Sequence, residues 1–410
     1  MKDTLEDIKV FVTDVILNDR RGGKATLCRW AFWVLSQIYG AVVSLRVWMF
    51  RSRVLHDHHL GVPVIAIGNL TVGGTGKTPV VELIARTLTE KGRTVAILSR
   101  GYKSKKDGKH PLWKRLGFAT GLMERPAEPP PRVVSDGKSV LLDSHMAGDE
   151  PKMLANNLPG VPVLVDKNRV KAGRYAIENF NVDALLLDDG MQYLKLKHRL
   201  DIVLVDKTAP FGTGYLLPRG TLREPVRQLR RASYIFITKS DEHENKDLIR
   251  RLRLYNRAAE IVECRHRAVY IEDMHTGERH PISTLKGKYV GAVSGIAVPE
   301  SFENGLRKLG AEVEVTLRFP DHHRFEEKDL LPFIDRCERR DVEMIVTTEK
   351  DMVRFPAIGR CDVPICFMRV EIEILRGQEV FDKMIRLTTD PRSVPPGVLM
   401  SSVLGGAEVP

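Results

Sequence analysis

Residues 62–78 read VPVIAIGNLTVGGTGKT, a short apolar run followed by a glycine-rich loop that closes on Gly76-Lys77-Thr78. Apolar, helix-compatible residues continue from Val80 to Leu88. Strand, glycine loop and helix in this order are what a phosphate-binding loop needs, because backbone N–H groups then converge at a helix N-terminus where negative charge is favoured. Gly73, Gly74 and Gly76 let those N–H groups turn inward with no Cβ in the way. The expected nucleotide-binding residues are Thr71, Val72, Gly73, Gly74, Thr75, Gly76, Lys77 and Thr78. Lys77 reaches the β- and γ-phosphates of ATP in this reading, and the Thr78 hydroxyl ligates Mg²⁺. The strict spacing G-x-x-x-x-G-K-T asks for glycine at 71, where this chain has Thr71.

Apolar runs of strand length follow at 94–98, 161–165, 184–187, 202–205 and 234–237, alternating with helix-like stretches. Such alternation predicts a P-loop NTPase-type, doubly wound α/β domain over 61–266, with ligands beyond the carboxyl ends of its strands. Polar residues cluster there: Ser99-Arg100-Gly101-Tyr102, Asp188-Asp189-Gly190 and Thr238-Lys239-Ser240-Asp241. Asp188 or Asp189 suits the acidic Mg²⁺ partner of the loop; a helix N-cap is the plainer reading, and Asp166 and Asp206 are rivals. Residues 102–131 are lysine-rich and close on three prolines, which reads as a basic surface insertion. The pattern restarts near Arg267, with strand-like runs at 289–293, 313–317, 344–347 and 363–367 and helix-like segments at 299–309 and 327–340. This predicts a second, smaller α/β domain over 267–370, then a C-terminal tail over 371–410.

The N-terminal 60 residues differ in kind. Trp30, Trp33 and Trp48 share the stretch 30–50 with Phe32, Tyr39 and Phe50, and its uncharged part ends at Arg46, short of the ~20 apolar residues a spanning helix wants. Arg29, Ser36, Gln37, Gly40, Ser44 and Arg51 fall on one helical stripe. A narrow polar stripe, interfacial tryptophans and flanking arginines predict a membrane-associated helix lying in the interface, with a buried core helix as the alternative. The chain's 64 Lys and Arg against 53 Asp and Glu, a net charge of +11, point to nucleic acid, an anionic bilayer or phosphorylated substrates. Five cysteines with no CxxC pair argue against a disulfide framework or a zinc ribbon. His56, His58 and His59 read as a polar connector.

The segments GNLTVGGTGKTP (68–79), SRGY (99–102), GDEP (148–151), LLLDDGMQ (185–192), LLPRGTLREP (216–225), SGI (294–296), FPDHHRF (319–325) and TTEKDMVRF (347–355) together resemble the tetraacyldisaccharide 4′-kinase (lipid A 4′-kinase) family. That resemblance implies transfer of the γ-phosphate of ATP to the 4′-hydroxyl of a tetraacyl glucosamine disaccharide 1-phosphate, at the cytoplasmic face of a bacterial inner membrane. Thr71 then reads as the family's own variant of the loop. Asp149 becomes the implied base, with His322 as its partner and His323 as the other candidate. Asp188, Asp189 and Glu224 are the implied Mg²⁺ carboxylates, and Arg223 is the chosen phosphate contact. An ordinary carboxylate is a weak base for an alcohol, so orienting the hydroxyl is the larger part of Asp149's implied role.

Two other classes compete. The segment 238–241 (TKSD) imitates the guanine reader of a P-loop GTPase, and the positive charge alone would serve a noncatalytic nucleic-acid or membrane binder. No RNA-binding or helix-turn-helix signature supports nucleic acid as a partner, and no protein partner can be read. With Asp149 assigned to the first domain and His322 to the second, catalysis is expected to need a closure driven by nucleotide and lipid binding, about hinges near 265–271 and at the second domain's exit.

Overall fold

The computed structural model describes residues 2–101, 129–359 and 362–389. The expected basic insertion at 102–131 therefore lies almost wholly outside the described residues, as does the end of the expected tail. In chain order the elements are α1 (Lys2–Leu17), α2 (Gly23–Arg51), β1 (Val64–Asn69), α3 (Lys77–Glu90), β2 (Val95–Ser99), β3 (Arg132–Asp136), α4 (Ser144–Ala147), α5 (Asp149–Asn157), β4 (Pro162–Val165), α6 (Arg169–Phe180), β5 (Ala184–Asp188) and β6 (Leu200–Asp206). A 3-10 helix (Val226–Arg231) precedes β7 (Tyr234–Thr238), α7 (Lys246–Arg253), β8 (Glu260–Asp273), β9 (Arg279–Pro281) and β10 (Tyr289–Ser294). Then come α8 (Pro299–Lys308), β11 (Glu312–Arg318), α9 (Glu327–Glu338), β12 (Met344–Thr348), α10 (Glu349–Met352), β13 (Ile365–Arg376) and α11 (Gln378–Thr389).

These elements form two compact units, and neither is continuous in sequence. One comprises residues 2–93, 183–267 and 372–389; the other comprises 94–182 and 268–371 where described. One boundary falls at residue 267, but residues 94–182 group with the C-terminal half and not with the glycine loop, so the two units are not the expected 61–266 and 267–370 domains. Sequence alternation alone cannot reveal this, because both units are built of the same α/β repeat.

In the first unit β5, β1, β6, β7 and β8 run parallel in that order, with Ile67 opposite Asp188 and Asn69 opposite Leu204. Every residue of β1, β5 and β7 is buried, as the unbroken apolar runs require of strands covered on both faces. On one face lie Val203, Val205, Ile235 and Ile237, packed with Leu229 of the 3-10 helix and Leu248 and Leu252 of α7. α11 also belongs here: Phe381 meets Phe236 edge-to-face at 6.3 Å, and Arg93 donates to the Thr388 and Thr389 carbonyls at 3.0 and 2.8 Å. The expected tail over 371–410 thus begins as ordered strand and helix. Its helix carries apolar residues at 381, 384 and 385, a pattern short enough to be overlooked among charged neighbours.

α2 packs on the same unit through its small and polar stripe. Ser36, Gly40 and Val47 are buried, the Tyr39 hydroxyl donates to the Arg223 carbonyl at 2.8 Å, and a Cβ on Gly40 would stand 2.7 Å from Leu216. The opposite face is apolar and exposed: Trp30 is 65% and Val42 60% accessible. By length and composition α2 could cross a membrane, and most of it is not buried in the protein.

In the second unit β2 and β4 are parallel, with β3 antiparallel at the edge. A further set, β11, β10, β12 and β13, is parallel, and the end of β8 pairs with β9. The contact between these two parts is polar: Asn157 at the end of α5 donates to Glu349 Oε1 at 2.5 Å, and Arg369 clasps the same carboxylate at 2.7 and 2.9 Å.

Candidate active site

Local backbone geometry makes the glycine loop. Gly73 and Gly76 have φ of 117° and 79°, the left-handed range that a side chain opposes. A Cβ at Gly73 or Gly74 would meet nothing within 4 Å, whereas one at Gly76 would lie 2.6 Å from the His266 imidazole. Thr71 stands where a strict motif wants glycine, and the reason it is tolerated is visible. Thr71 pairs with Leu222 in an isolated bridge, and the Val72 N–H donates to the Thr221 carbonyl at 2.8 Å, so this stretch is extended and needs no glycine. Thr238 Oγ1 donates to the Thr75 carbonyl at 3.0 Å and steadies the second half of the loop.

Charged side chains converge on the loop. Lys77 Nζ donates to Asn69 Oδ1 at 3.4 Å and lies 3.7 Å from Asp189 Oδ1. Arg223 grips Asp189 in a two-pronged pair, both bonds 2.8 Å, and its Nη2 also meets the Asn69 side chain. Two forked bonds fix the plane of the guanidinium as well as its charge. Asp188 ends β5 one strand from β1 and is 2% exposed, while Thr78 in the first turn of α3 is 6% exposed. Asn69 was not singled out from sequence, yet it is fully buried and touches Lys77, Arg223 and Thr71. Its only signal was a polar residue at the end of an apolar strand.

Glu224, which the resemblance groups with Asp188 and Asp189, is 3% exposed. Its carboxylate is ion-paired with Arg231 of the 3-10 helix, and burial pushes its pKa up against the opposing charges of Arg231, Arg223 and Arg46. Among the described residues no three His, Cys, Asp or Glu side chains form a ready-made metal cluster. The arginines around LREP also divide: Arg219 is buried and donates to Asn18 Oδ1 at 2.8 Å, Arg231 holds Glu224, and Arg227 and Arg230 are exposed.

Asp149 is the first residue of α5, and His322 sits in a tight turn after β11 with φ of 66°. His322 Nδ1 lies 2.7 Å from Asp149 Oδ2, and Lys350 Nζ is 3.4 Å from His322 Nε2. Nε2 also lies 3.6 Å from Asp321 Oδ2, so a carboxylate stands near each ring nitrogen. Both residues belong to the second unit, which corrects the expectation that they come from different domains. His323 is engaged elsewhere: it bonds Asp329 at 3.0 Å and stacks on Phe319 at 4.2 Å. Arg354 is the residue that sequence reading passed over here. It is buried, pairs with Asp351, donates to the His323 and Gly295 carbonyls at 2.9 and 3.2 Å, and stands 3.6 Å from Asp149 Oδ2. Gly295 in turn accepts the His322 N–H at 3.2 Å, so the SGI, DHH and TTEKDMVRF segments meet around one carboxylate.

The segment 238–241 serves the fold. Lys239 pairs with Asp206 at 2.6 Å, Asp241 with Lys207 at 2.5 Å, and Ser240 is buried with its hydroxyl on the Ile237 carbonyl. The groups that would read guanine are already paired.

The model of the family described as tetraacyldisaccharide-1-P 4′-kinase matches residues 28–115 and 124–389. The chain belongs to this family. The tetraacyldisaccharide 4′-kinase of Anaeromyxobacter sp. (strain K) is 38% identical over 365 residues, covering 87% of this chain and 91% of the relative. That of Anaeromyxobacter dehalogenans is 40% identical, with 84% and 86% covered. A solved structure, LpxK from Aquifex aeolicus in complex with ATP, superimposes with a TM-score of 0.67 at 27% identity, over 88% of this chain and 99% of that one. As a tetraacyldisaccharide 4′-kinase the chain is a phosphotransferase acting on a hydroxyl group in lipid A biosynthesis, and the GTPase reading is not favoured.

Proposed function

We propose that ATP is the donor, that the glycine loop of the first unit holds its phosphates, and that Asp149 and His322 of the second unit handle the 4′-hydroxyl of the lipid. The 2.7 Å contact of His322 Nδ1 with Asp149 Oδ2 carries this reading. It fixes one carboxylate oxygen and leaves the carboxylate to orient the acceptor. As the new O–P bond forms and the bond to the ADP oxygen breaks, the hydroxyl proton passes to Asp149, whose other oxygen His322 holds in place. Lys77 and Arg223 supply the fixed positive charge that the transferring oxygens need. ATP in the Aquifex aeolicus relative supports the choice of donor.

The loop fits its ligands on the donor set. Gly73 and Gly74 open onto free space, and Thr78, Asp188 and Asp189 offer hard oxygen donors of the kind Mg²⁺ takes beside phosphates. These three would hold Mg²⁺, which when bound neutralises charge on the phosphate oxygens. Glu224 is better read as the group that holds Arg231 and steadies the segment carrying Arg223. The exposed tryptophan-bearing face of α2 supports a peripheral seat on the cytoplasmic face of the inner membrane, where an acylated substrate resides.

The test is direct. Radiolabelled ATP or GTP is incubated with the enzyme and the disaccharide 1-phosphate lipid in detergent. Label on the 4′ position from ATP is expected; label from GTP in preference to ATP would overturn the assignment of donor.

A further inference from the structure

A second positively charged site lies away from the glycine loop. Where the C-terminal end of α2 meets the 3-10 helix, both in the first unit, a cleft of about 540 Å³ is lined by Arg51, Arg227, Arg230, Gln228, Ser44 and Trp48 among others. Arg227 Nη2 donates to Ser44 Oγ at 2.8 Å, which ties the two elements and sets one guanidinium at the rim. Among the described residues none of the three arginines has a carboxylate in ion-pair range. Burial and the charges of Arg51, Arg227 and Arg231 hold Arg230 below its ordinary value, so the crowding is uncompensated. Gln228 is 2% exposed, and its Oε1 has no hydrogen-bond partner. A buried acceptor left unmatched is disfavoured, and a donor reaching it through the cleft would remove that penalty. The cleft adjoins the exposed apolar face of α2, through Trp48 and Leu45.

We infer that this cleft binds the headgroup of an anionic bilayer phospholipid, its phosphodiester on Arg51, Arg227 and Arg230 and a headgroup hydroxyl donating to Gln228 Oε1. Three guanidiniums with no carboxylate partner among the described residues match one phosphate, and a neighbouring apolar face gives the acyl chains somewhere to go. The inference rests on the membrane reading of α2 but adds a headgroup preference to it. Arg51, Arg227 and Arg230 are thereby accounted for by a bilayer lipid and not by the substrate.

Vesicle sedimentation of the full-length enzyme separates the two ideas. Vesicles of phosphatidylcholine alone are compared with vesicles in which roughly a third of the lipid is phosphatidylglycerol or its hydroxyl-free analogue phosphatidylmethanol. Wild type should prefer phosphatidylglycerol to both. The combined variant Arg51→Gln, Arg227→Gln, Arg230→Gln should bind phosphatidylglycerol vesicles roughly a hundredfold more weakly, about fivefold per arginine. Gln228→Leu should bind both anionic vesicles alike. These exposed arginines leave turnover of detergent-dispersed substrate unchanged. Wild type that ignores vesicles altogether would sink the membrane reading itself. Equal binding to all three vesicles, or a triple variant that binds as wild type does, would sink only the headgroup site. A raised KM for the disaccharide lipid in the triple variant would mean that the cleft holds the substrate's phosphate, and displacement by inorganic phosphate without vesicles would mean a soluble anion; either overturns the inference.

Discussion

Gly76 shows how one residue ties local geometry to function. Its φ of 79° and the imidazole 2.6 Å from where a Cβ would sit leave no room for a side chain. Gly76→Ala should destabilise the chain by about 1–2 kcal/mol for the left-handed backbone alone, and should weaken ATP binding because the start of α3 must shift. Calorimetric titration with ATP checks this, and an unchanged affinity would count against the loop assignment. His266 makes a second case. Burial, then the charge of Lys239, lower its pKa from the usual 6.5, only partly opposed by Asp206. The folded state therefore holds the proton less tightly than the unfolded chain, and stability is lost as pH falls from about 6.5 through the folded value. In His266→Gln the fall in Tm between pH 7 and pH 5 should be smaller than in wild type; an equal fall would show that this imidazole is not what resists protonation. Lys77, Thr78, Asp149, Asp188 and Asp189 were legible because their spacing carries chemistry or a resemblance. Asn69, His266 and Arg354 were not, since a single polar residue in a strand or turn acquires a role only from what the fold brings against it.

At the scale of elements, most buried parallel strands were read to within two residues, because strands covered on both faces become unbroken apolar runs; β13, expected at 363–367, runs on to Arg376. β8, β3 and α11 were missed. β8 carries Glu260, Glu263, Arg265, His266, Arg267, Glu272 and Asp273 among its apolar positions, and its charges hid the strand. α11 is the more consequential omission, for it completes the core over β7. Phe381 is 3% exposed, so Phe381→Ala should cost about 3 kcal/mol or more in urea unfolding. A loss below 1 kcal/mol would mean that α11 is an appendage. α2 was foreseen as amphipathic, but the structure assigns its faces: the small and polar stripe meets protein, and the aromatic face is left outside.

For the whole molecule, the division of labour is the central point. The residues read as holding ATP belong to one unit, and Asp149 with its histidine belongs to the other. Sequence order concealed this, since residues 94–182 lie between two segments of the nucleotide unit and interrupt it. The two sets belong to different units, so each should be removable without harm to the other. The decisive measurement is therefore made on Asp149→Ala and His322→Ala, with ATP affinity and label transfer to the disaccharide 1-phosphate lipid read on the same preparations. ATP affinity within about twofold of wild type, with transfer reduced by about 100-fold or more in Asp149→Ala and less severely in His322→Ala, is the expected result. Transfer at the wild-type rate in Asp149→Ala would contradict the assignment of this carboxylate to the acceptor hydroxyl.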